Sequence, residues 1–524
     1  MGLLIPLRLS CVASRCSCSE AERQIAMAIP VMESELTCLL ASGAATASGS
    51  RAHHEVSTGI TVIFGAILAL MILMLALEDR IHAKKSLIAG VFAILSLFLG
   101  TWLEILPFDS APGEHQGYAW IQNVFGEVLH LPVYVPAIDW GVIAIILGSS
   151  LFVDVVGRSG LFTWIAIKLT KASRGDPVLL LIYYCVMTVL FSALLNNVTA
   201  MLIVGALTAV SLDRLKQDRL LLGFLLVEGL LTNVGGLLTL ISSVPNIIVG
   251  RAAGIEFIDF SIMAGPYVVV ATLATIIVGV KRFGVRRLKG EEEKAAALEM
   301  VRGFDENDGI ESESFFWTAA GLFVLFILTM ATTSMLPVIK SLDMGYVALT
   351  FAFLILIRYK STVDRFYQAM DWDLLLFFAA LFVVINVMEH AQVLAAIGHG
   401  LQVSVLPLGE AAGGALVAAS ALTSAVTDNI PLAAMMAKII GDLPEMAVSG
   451  TASQPRMDLW WAVVFGANLG GNITPIGSAS TMVAVTVMHK HGHRVGFGRF
   501  VKLAWPFAVI HIGLAIAYVA IVAR

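Results

Sequence analysis

Apolar runs of about twenty residues recur along this chain, and at about 1.5 Å of rise per residue each is long enough to cross the hydrocarbon core of a bilayer. No motif limits the fold as strongly. With 58% hydrophobic residues, 14% charged residues and a mean hydropathy of +0.87, no soluble domain of useful size is left over. The chain therefore reads as an all-α polytopic protein, multi-pass in the cytoplasmic membrane, with the lipid bilayer as its principal partner. The net charge of −5 says little about partners and nothing points to nucleic acid; the placement of Lys and Arg among the loops carries the information.

One run is interrupted by polar residues. Leu422 to Ala434 reads LTSAVTDNIPLAA, and an ionised carboxylate at membrane depth costs several kcal/mol unless it is paired, so Asp428 is a candidate functional residue. The device occurs twice: Ser192 to Asn197 (SALLNN) aligns without a gap to Ser424 to Asn429 (SAVTDN), and the same register pairs Asp139-Trp140 with Asp371-Trp372.

Loop charges order the spans. The 78–86 loop holds Arg80, Lys84 and Lys85, whereas 101–139 has acidic residues and no Lys or Arg, which places the first loop inside and the second outside. The 177–212 segment leaves from and returns to basic loops, so it is a re-entrant hairpin with its tip at Asn196-Asn197, where non-helical backbone must be buried or line a cavity. The run 220–250 is too long for one span and carries Gly235-Gly236 and Pro245, so it breaks into two half-helices with an unwound link from about Asn233 to Pro245. The second half repeats the plan: a hairpin with its tip at Asp428-Asn429, and a broken helix over 459–488 in which Asn468-Leu-Gly470-Gly471 matches Asn233-Val-Gly235-Gly236. The expected division is an N-terminal tail (1–57), a first transmembrane repeat (58–281), a charged cytoplasmic linker (282–313) and a second repeat (314–524). Each repeat has five spans, one re-entrant hairpin and one broken helix. Five crossings per half put homologous elements in opposite orientation, an inverted-topology repeat of the kind used in secondary transport.

The residues divide into two expected clusters: Asn197, Thr199, Asn233 and Ser243 in one, and Asp428, Asn429, Asn468, Thr474 and Ser478 in the other. Unwound links offer carbonyls to a cation, and half-helix N-termini offer N–H groups to an anion. Each candidate also has a plain structural explanation. Gly235, Gly236, Gly470 and Gly471 serve close helix packing, Asn197 and Asn429 serve as caps, and Asp139 and Asp371 anchor at the interface. Glu228 reads as a proton carrier or a partner behind the site, or equally as a residue near the helix start at the cytoplasmic interface, and Asp154 as an interfacial charge paired with Arg158. His489, His491 and His493 read as a basic loop rather than a metal site, Cys16 and Cys18 do not read as a zinc site, and no cofactor or resident metal is expected.

SALLNNVTAML, TNVGGLLTLISSVPNIIV, TSAVTDNIPLAAM and GANLGGNITPIGSASTMVAV, with the LEDRIHAKKS loop, resemble the paired signatures of the ArsB/NhaD permease group of the ion transporter superfamily. That group includes arsenite permeases, NhaD-type sodium/proton antiporters, the P protein and citrate carriers. The resemblance runs from about Thr58 to the C-terminus. It implies that hairpin tips and unwound links bind sodium and substrate, which implicates Asn196, Asn197, Thr199, Asp428 and Asn429 with Asn246 and Thr481; it also suggests a homodimer. Many members have Asp-Asn at both tips, whereas the first tip here is Asn196-Asn197.

The functional expectation is a secondary active transporter of a small inorganic ion or carboxylate, coupled to Na+ or H+. Cation antiport of the Na+/H+ type is favoured, because an intramembrane carboxylate suits a cation and exchanges it for a proton. Transport of an anion, arsenite or citrate/dicarboxylate, is the alternative. A channel is more remote, and so is an enzyme, because no nucleophile–base pair or metal motif falls within the spans.

Overall fold

The structure, a computed structural model, describes residues 56–106, 121–122, 128–129, 132–307, 309–360, 363–443 and 456–522. The tail through Glu55, with Cys16 and Cys18, lies outside the described residues. Within 109–129, Ile121 pairs with Leu129 in a two-residue antiparallel ladder.

The remainder is helical, and its order is the same in both halves. The first half runs α1 (Thr58–Ala76), α2 (Lys85–Trp102), α3 (Trp140–Gly157), α4 (Leu161–Ala172), α5 (Pro177–Leu194), α6 (Asn197–Arg214), α7 (Leu221–Gly235), α8 (Val244–Ala252) and α9 (Phe257–Arg282). After the linker helix α10 (Glu291–Arg302) come α11 (Glu313–Ala331), α12 (Pro337–Leu356), α13 (Trp372–His390), α14 (Val393–Ser404), α15 (Ala412–Ser424), α16 (Asn429–Gly441), α17 (Met457–Gly470), α18 (Ala479–Lys490) and α19 (Phe497–Val522). Among the described residues eleven helices are long and apolar enough to cross a membrane. Both arms of the first hairpin, α5 and α6, are among them; α16 of the second is shorter.

Packing between the halves is reciprocal. α12 lies against α3 as α2 lies against α13, and α6 meets α18 as α8 meets α16. In lipid such contacts depend on close van der Waals approach rather than on water exclusion. At the α3–α12 crossing a Cβ on Gly148 would collide with the backbone of Ala348. Nearby, the Phe152 ring packs against Phe326 at 4.7 Å and Phe351 at 5.8 Å, pairs of a kind that contribute about 0.5–1.5 kcal/mol each.

Matching residues do matching local work. Asp139 and Asp371, expected as interface anchors, are N-caps: Asp139 Oδ1 accepts from Gly141 and Val142, and Asp371 Oδ1 from Leu374. The indoles beside them turn back alike, Trp140 Nε1 donating to the carbonyl of Val135 (3.1 Å) and Trp372 Nε1 to that of Tyr367 (2.7 Å). Pro266 in α9 and Pro506 in α19 fall at the same place in two helices of 26 residues. Asp154 and Arg158 form the expected pair at 3.4 Å, and the His489 ring bonds to the backbone of Val495.

Some boundaries move. α7 stays helical through Gly235, so Asn233 sits in its last turn and the unwound link is 236–243, shorter than expected because the first glycine of the pair still completes the turn. α12, which starts at Pro337, kinks at Asp343, whose φ of 67° lies in the left-handed region. Arg251 of α8 binds the Asp343 carboxylate at that kink, with Asp139 3.5 Å away.

Candidate functional site

The two broken helices exchange hydrogen bonds across the molecule. Ser478, which precedes α18, donates to Asn233 Oδ1 of α7 (2.9 Å), and Ser243, which precedes α8, donates to Asn468 Oδ1 of α17 (2.6 Å). This corrects the expected grouping, in which Ser243 joins Asn233 and Ser478 joins Asn468. The reason is geometric: each half-helix start faces the end of the other half's helix.

Asn233 is the hub. Its Oδ1 also receives Ser480 Oγ (3.3 Å) and Asn197 Nδ2 (3.4 Å), and its Nδ2 donates to Asn472 Oδ1 (2.9 Å). Asn468 donates to Asn246 Oδ1 (2.9 Å) and to the Val464 carbonyl, while Asn246 Nδ2 ties the first link together through the carbonyls of Gly236 (2.7 Å) and Thr239 (2.9 Å). In the second link Thr481 Oγ1 donates to the Ser478 carbonyl (2.7 Å). Asn233, Asn246, Asn468 and Thr481 are all buried, so these bonds replace water for groups that each cost about 1–3 kcal/mol if left unpaired.

The hairpins are pinned to the links in the same way. Ser192 Oγ donates to the Thr232 carbonyl and Ser424 Oγ to the Ala467 carbonyl, both at 2.6 Å. Thr239 Oγ1 donates to the Ala193 carbonyl, and Thr474 Oγ1 to the Ala425 carbonyl (2.5 Å). Gly235 and Gly470 provide close packing: a Cβ would strike the Val189 backbone in one case and the Ala421 carbonyl in the other. Gly236 makes room for the Asn197 amide, which a Cβ would approach to 2.7 Å, and Gly471 for Ser478.

The tips differ. The caps are Asn196 and Asp428, not Asn197 and Asn429, which are the first residues of α6 and α16. Asn196 is exposed and accepts from Thr199 N (2.7 Å), while Asn197 turns inward to Ser192 and Asn233. Asp428 accepts from Ile430 N (3.2 Å) and from Lys85 Nζ at 2.5 Å, its side chain only 13% exposed. Lys85 opens α2, in the LEDRIHAKKS segment, and Glu78 is 3.6 Å from the same ammonium. The Asn429 side chain makes no hydrogen bond to a described residue, so the charged tip stands apart from the amide network.

Glu228 is fully buried in α7. Thr208 Oγ1 donates to its Oε1 at 2.7 Å and its Oε2 has no partner. Its helix packs among α5, α6, α9 and α18.

The sequence reading missed Lys85, Asn472 and His511. Asn472 follows the second glycine pair where the first repeat has Leu237, and its Nδ2 is 3.1 Å from Nδ1 of the buried His511 in α19. The signal was present: a polar residue after Gly-Gly in one copy alone, and an ionisable ring in mid-span, which marks a functional candidate by default.

Three helices begin at this centre, α6, α8 and α18, while α16 begins at the charged tip. α6 is capped by Asn196, whereas α8 and α18 have no side-chain cap and no acidic residue in the first turn, so their N–H groups and positive dipole ends are left for an anion.

Known proteins place the chain among membrane transporters. It is 31% identical over 389 residues to "Uncharacterized transporter Rv2684" of Mycobacterium tuberculosis, covering 73% of this chain and 86% of that protein. It is 26% identical over 518 residues to the human P protein, covering 84% of this chain and 60% of the P protein. In three dimensions it is similar to the YdaH transporter of Alcanivorax borkumensis, with a TM-score of 0.55 at 14% identity over 84% of this chain and 98% of that one, a likeness of fold. The profile of the citrate transporter family matches residues 119–466, two-thirds of the length, and the chain belongs to that family of membrane transporters.

Proposed function

We propose that the protein is a secondary active transporter of a small carboxylate anion of the citrate class, coupled to H+ or Na+, with its substrate held at the Asn233–Asn468 centre. The carrying observation is that this centre contains amides and hydroxyls but no carboxylate, while Asp428 is neutralised by Lys85. Amide N–H groups and the uncapped N-termini of α8 and α18 suit an anion. The description of the family as citrate transporters agrees with this reading. The loop charges orient the two repeats oppositely, so that the halves rock about the site.

Cation/proton antiport is the second reading, favoured by Asp428 itself: Lys85 competes with a cation for that carboxylate, and a proton or Na+ takes its place in turn.

Purified protein in liposomes with an internal pH dye separates them. Citrate pulses are expected to give uptake that persists in Asp428→Asn, whereas Na+, Li+ and K+ pulses move no protons. A Na+ or Li+ pulse that moves protons, and fails in Asp428→Asn, selects the antiporter instead.

A further inference from the structure

The buried His511 ring is joined to the proposed site by an unbroken line of hydrogen bonds. Thr275 donates its own proton to the Ala271 carbonyl (2.7 Å), so at the 2.6 Å contact with Thr275 Oγ1 it is His511 Nε2–H that donates. Nδ1 is then the acceptor for Asn472 Nδ2 (3.1 Å), Asn472 Oδ1 accepts from Asn233 Nδ2 (2.9 Å), and Asn233 Oδ1 accepts from Ser478, Ser480 and Asn197. In this arrangement Nδ1 faces a donor, and every amide along the line points one way.

We infer that His511 is the proton-binding residue of the transport cycle and that its charge state sets, through Asn472 and Asn233, whether the substrate site presents donors or acceptors. A proton taken up at Nδ1 turns that acceptor into a donor, which faces the Asn472 NH2 group. The clash is relieved when the Asn472 amide reverses and puts Oδ1 on the ring. Asn472 Nδ2 then meets Asn233, which reverses in turn and directs Nδ2–H at Ser478 and Ser480. Asn197 follows, because its Nδ2 would otherwise oppose that of Asn233. The line ends at Ser192 Oγ, whose proton, placed between Asn197 Oδ1 and the Thr232 carbonyl (2.6 Å each), goes wholly to Thr232 as the hydroxyl accepts from Asn197. Each amide supplies both a donor and an acceptor, so the reversed line is as fully bonded as the original. No bond forms or breaks besides N–H at His511.

The consequence has a sign. Protonation swaps an acceptor-rich centre for a donor-rich one, so an anion and the proton bind each other's favoured state and travel together. A cation prefers the unprotonated arrangement, so under the antiport reading the same relay gives exchange.

Among the described residues, no charged group bonds to the ring. Of the helices packed on α19, α9 brings Tyr267, whose OH donates to the His511 carbonyl (2.9 Å), and carries Asp259, Lys281 and Arg282 only in its first and last turns. α7 brings Glu228, held by Thr208; α17 brings Asp458, bonded to Arg456; α15 carries no titratable residue. Within α19, Tyr518 donates to the Met263 carbonyl.

The inference deepens the proposed transport function, and its test reads the two apart. In proteoliposomes, the amide of His511→Gln offers Asn472 either an acceptor or a donor but binds no proton, so citrate exchange at equal pH persists while pH-driven accumulation falls about tenfold or more, within the usual range of coupling. Glu228→Gln retains pH-driven accumulation. If only Glu228→Gln loses it, the proton site is Glu228 and the relay is wrong. Should His511→Gln not fold, wild-type protein with ring-labelled histidine decides: citrate binding at fixed pH produces an infrared difference band of a protonated imidazole, and a histidine band produced by Na+ or Li+ instead retains the relay while rejecting the anion reading. No histidine band with any of these ligands, or unchanged pH-driven accumulation in a folded His511→Gln, overturns the inference.

Discussion

The two hairpin tips start from one backbone plan and end in different chemistry. At the first tip Asn196 caps α6 from the surface and Asn197 reaches inward to the hub at Asn233. At the second tip Asp428 caps α16 and is held by Lys85 of the other half, while the Asn429 side chain makes no hydrogen bond to a described residue. Backbone pins match residue for residue at both, Ser192 with Ser424 and Thr239 with Thr474. Duplication thus conserves what holds the tip in place and frees what the tip presents. One tip is wired into a neutral network, and the other is an ion pair at its edge.

The comparison can be broken most severely at the hub. Asn233→Ala leaves Ser478, Asn472 and Asn197 short of a partner in a buried centre, a loss of about 2–4 kcal/mol that is expected to reduce transport by about 100-fold; initial uptake rates in proteoliposomes check it. If the first tip alone is engaged, Asn197→Ala lowers uptake about tenfold, and Asn429→Ala lowers it much less. Equal losses at both would mean that Asn429 meets substrate directly.

Lys85→Ala probes the charged tip. It strands Asp428 at 13% exposure, and its melting temperature in detergent is expected to drop, with most of the loss, about 1–2 kcal/mol, regained in Lys85→Ala/Asp428→Asn. Additive losses would remove the pair from the account of the tip. The smallest effect belongs to the shared plan: Asp139→Ala and Asp371→Ala each lose a helix cap worth about 1 kcal/mol, measured as thermal stability. Asp139→Ala loses more, because it also takes a carboxylate from beside Arg251.

The repeat, the tips and the broken helices were legible in the sequence because each breaks an apolar run with residues that cost energy in lipid unless they are used. The pairing was not. Alignment ranks Ser243 with Asn233 because they share a repeat, whereas a hydrogen bond follows distance, and the crossing of the halves puts Ser478 there instead. Lys85 looked like an ordinary loop cation, since nothing in a sequence brings it to a carboxylate 343 positions away. His511 was visible as a mid-span ionisable residue, but only its contact with Asn472 gives it a role.

Counterflow of labelled citrate, at equal pH and without an ion gradient, compared between Asn233→Ala and Asp428→Asn, bears most directly on where the substrate binds. Abolition in Asn233→Ala with persistence in Asp428→Asn is the expected result, and it would place the substrate in the neutral centre. Abolition in Asp428→Asn with counterflow intact in Asn233→Ala would contradict it and return the site to the carboxylate.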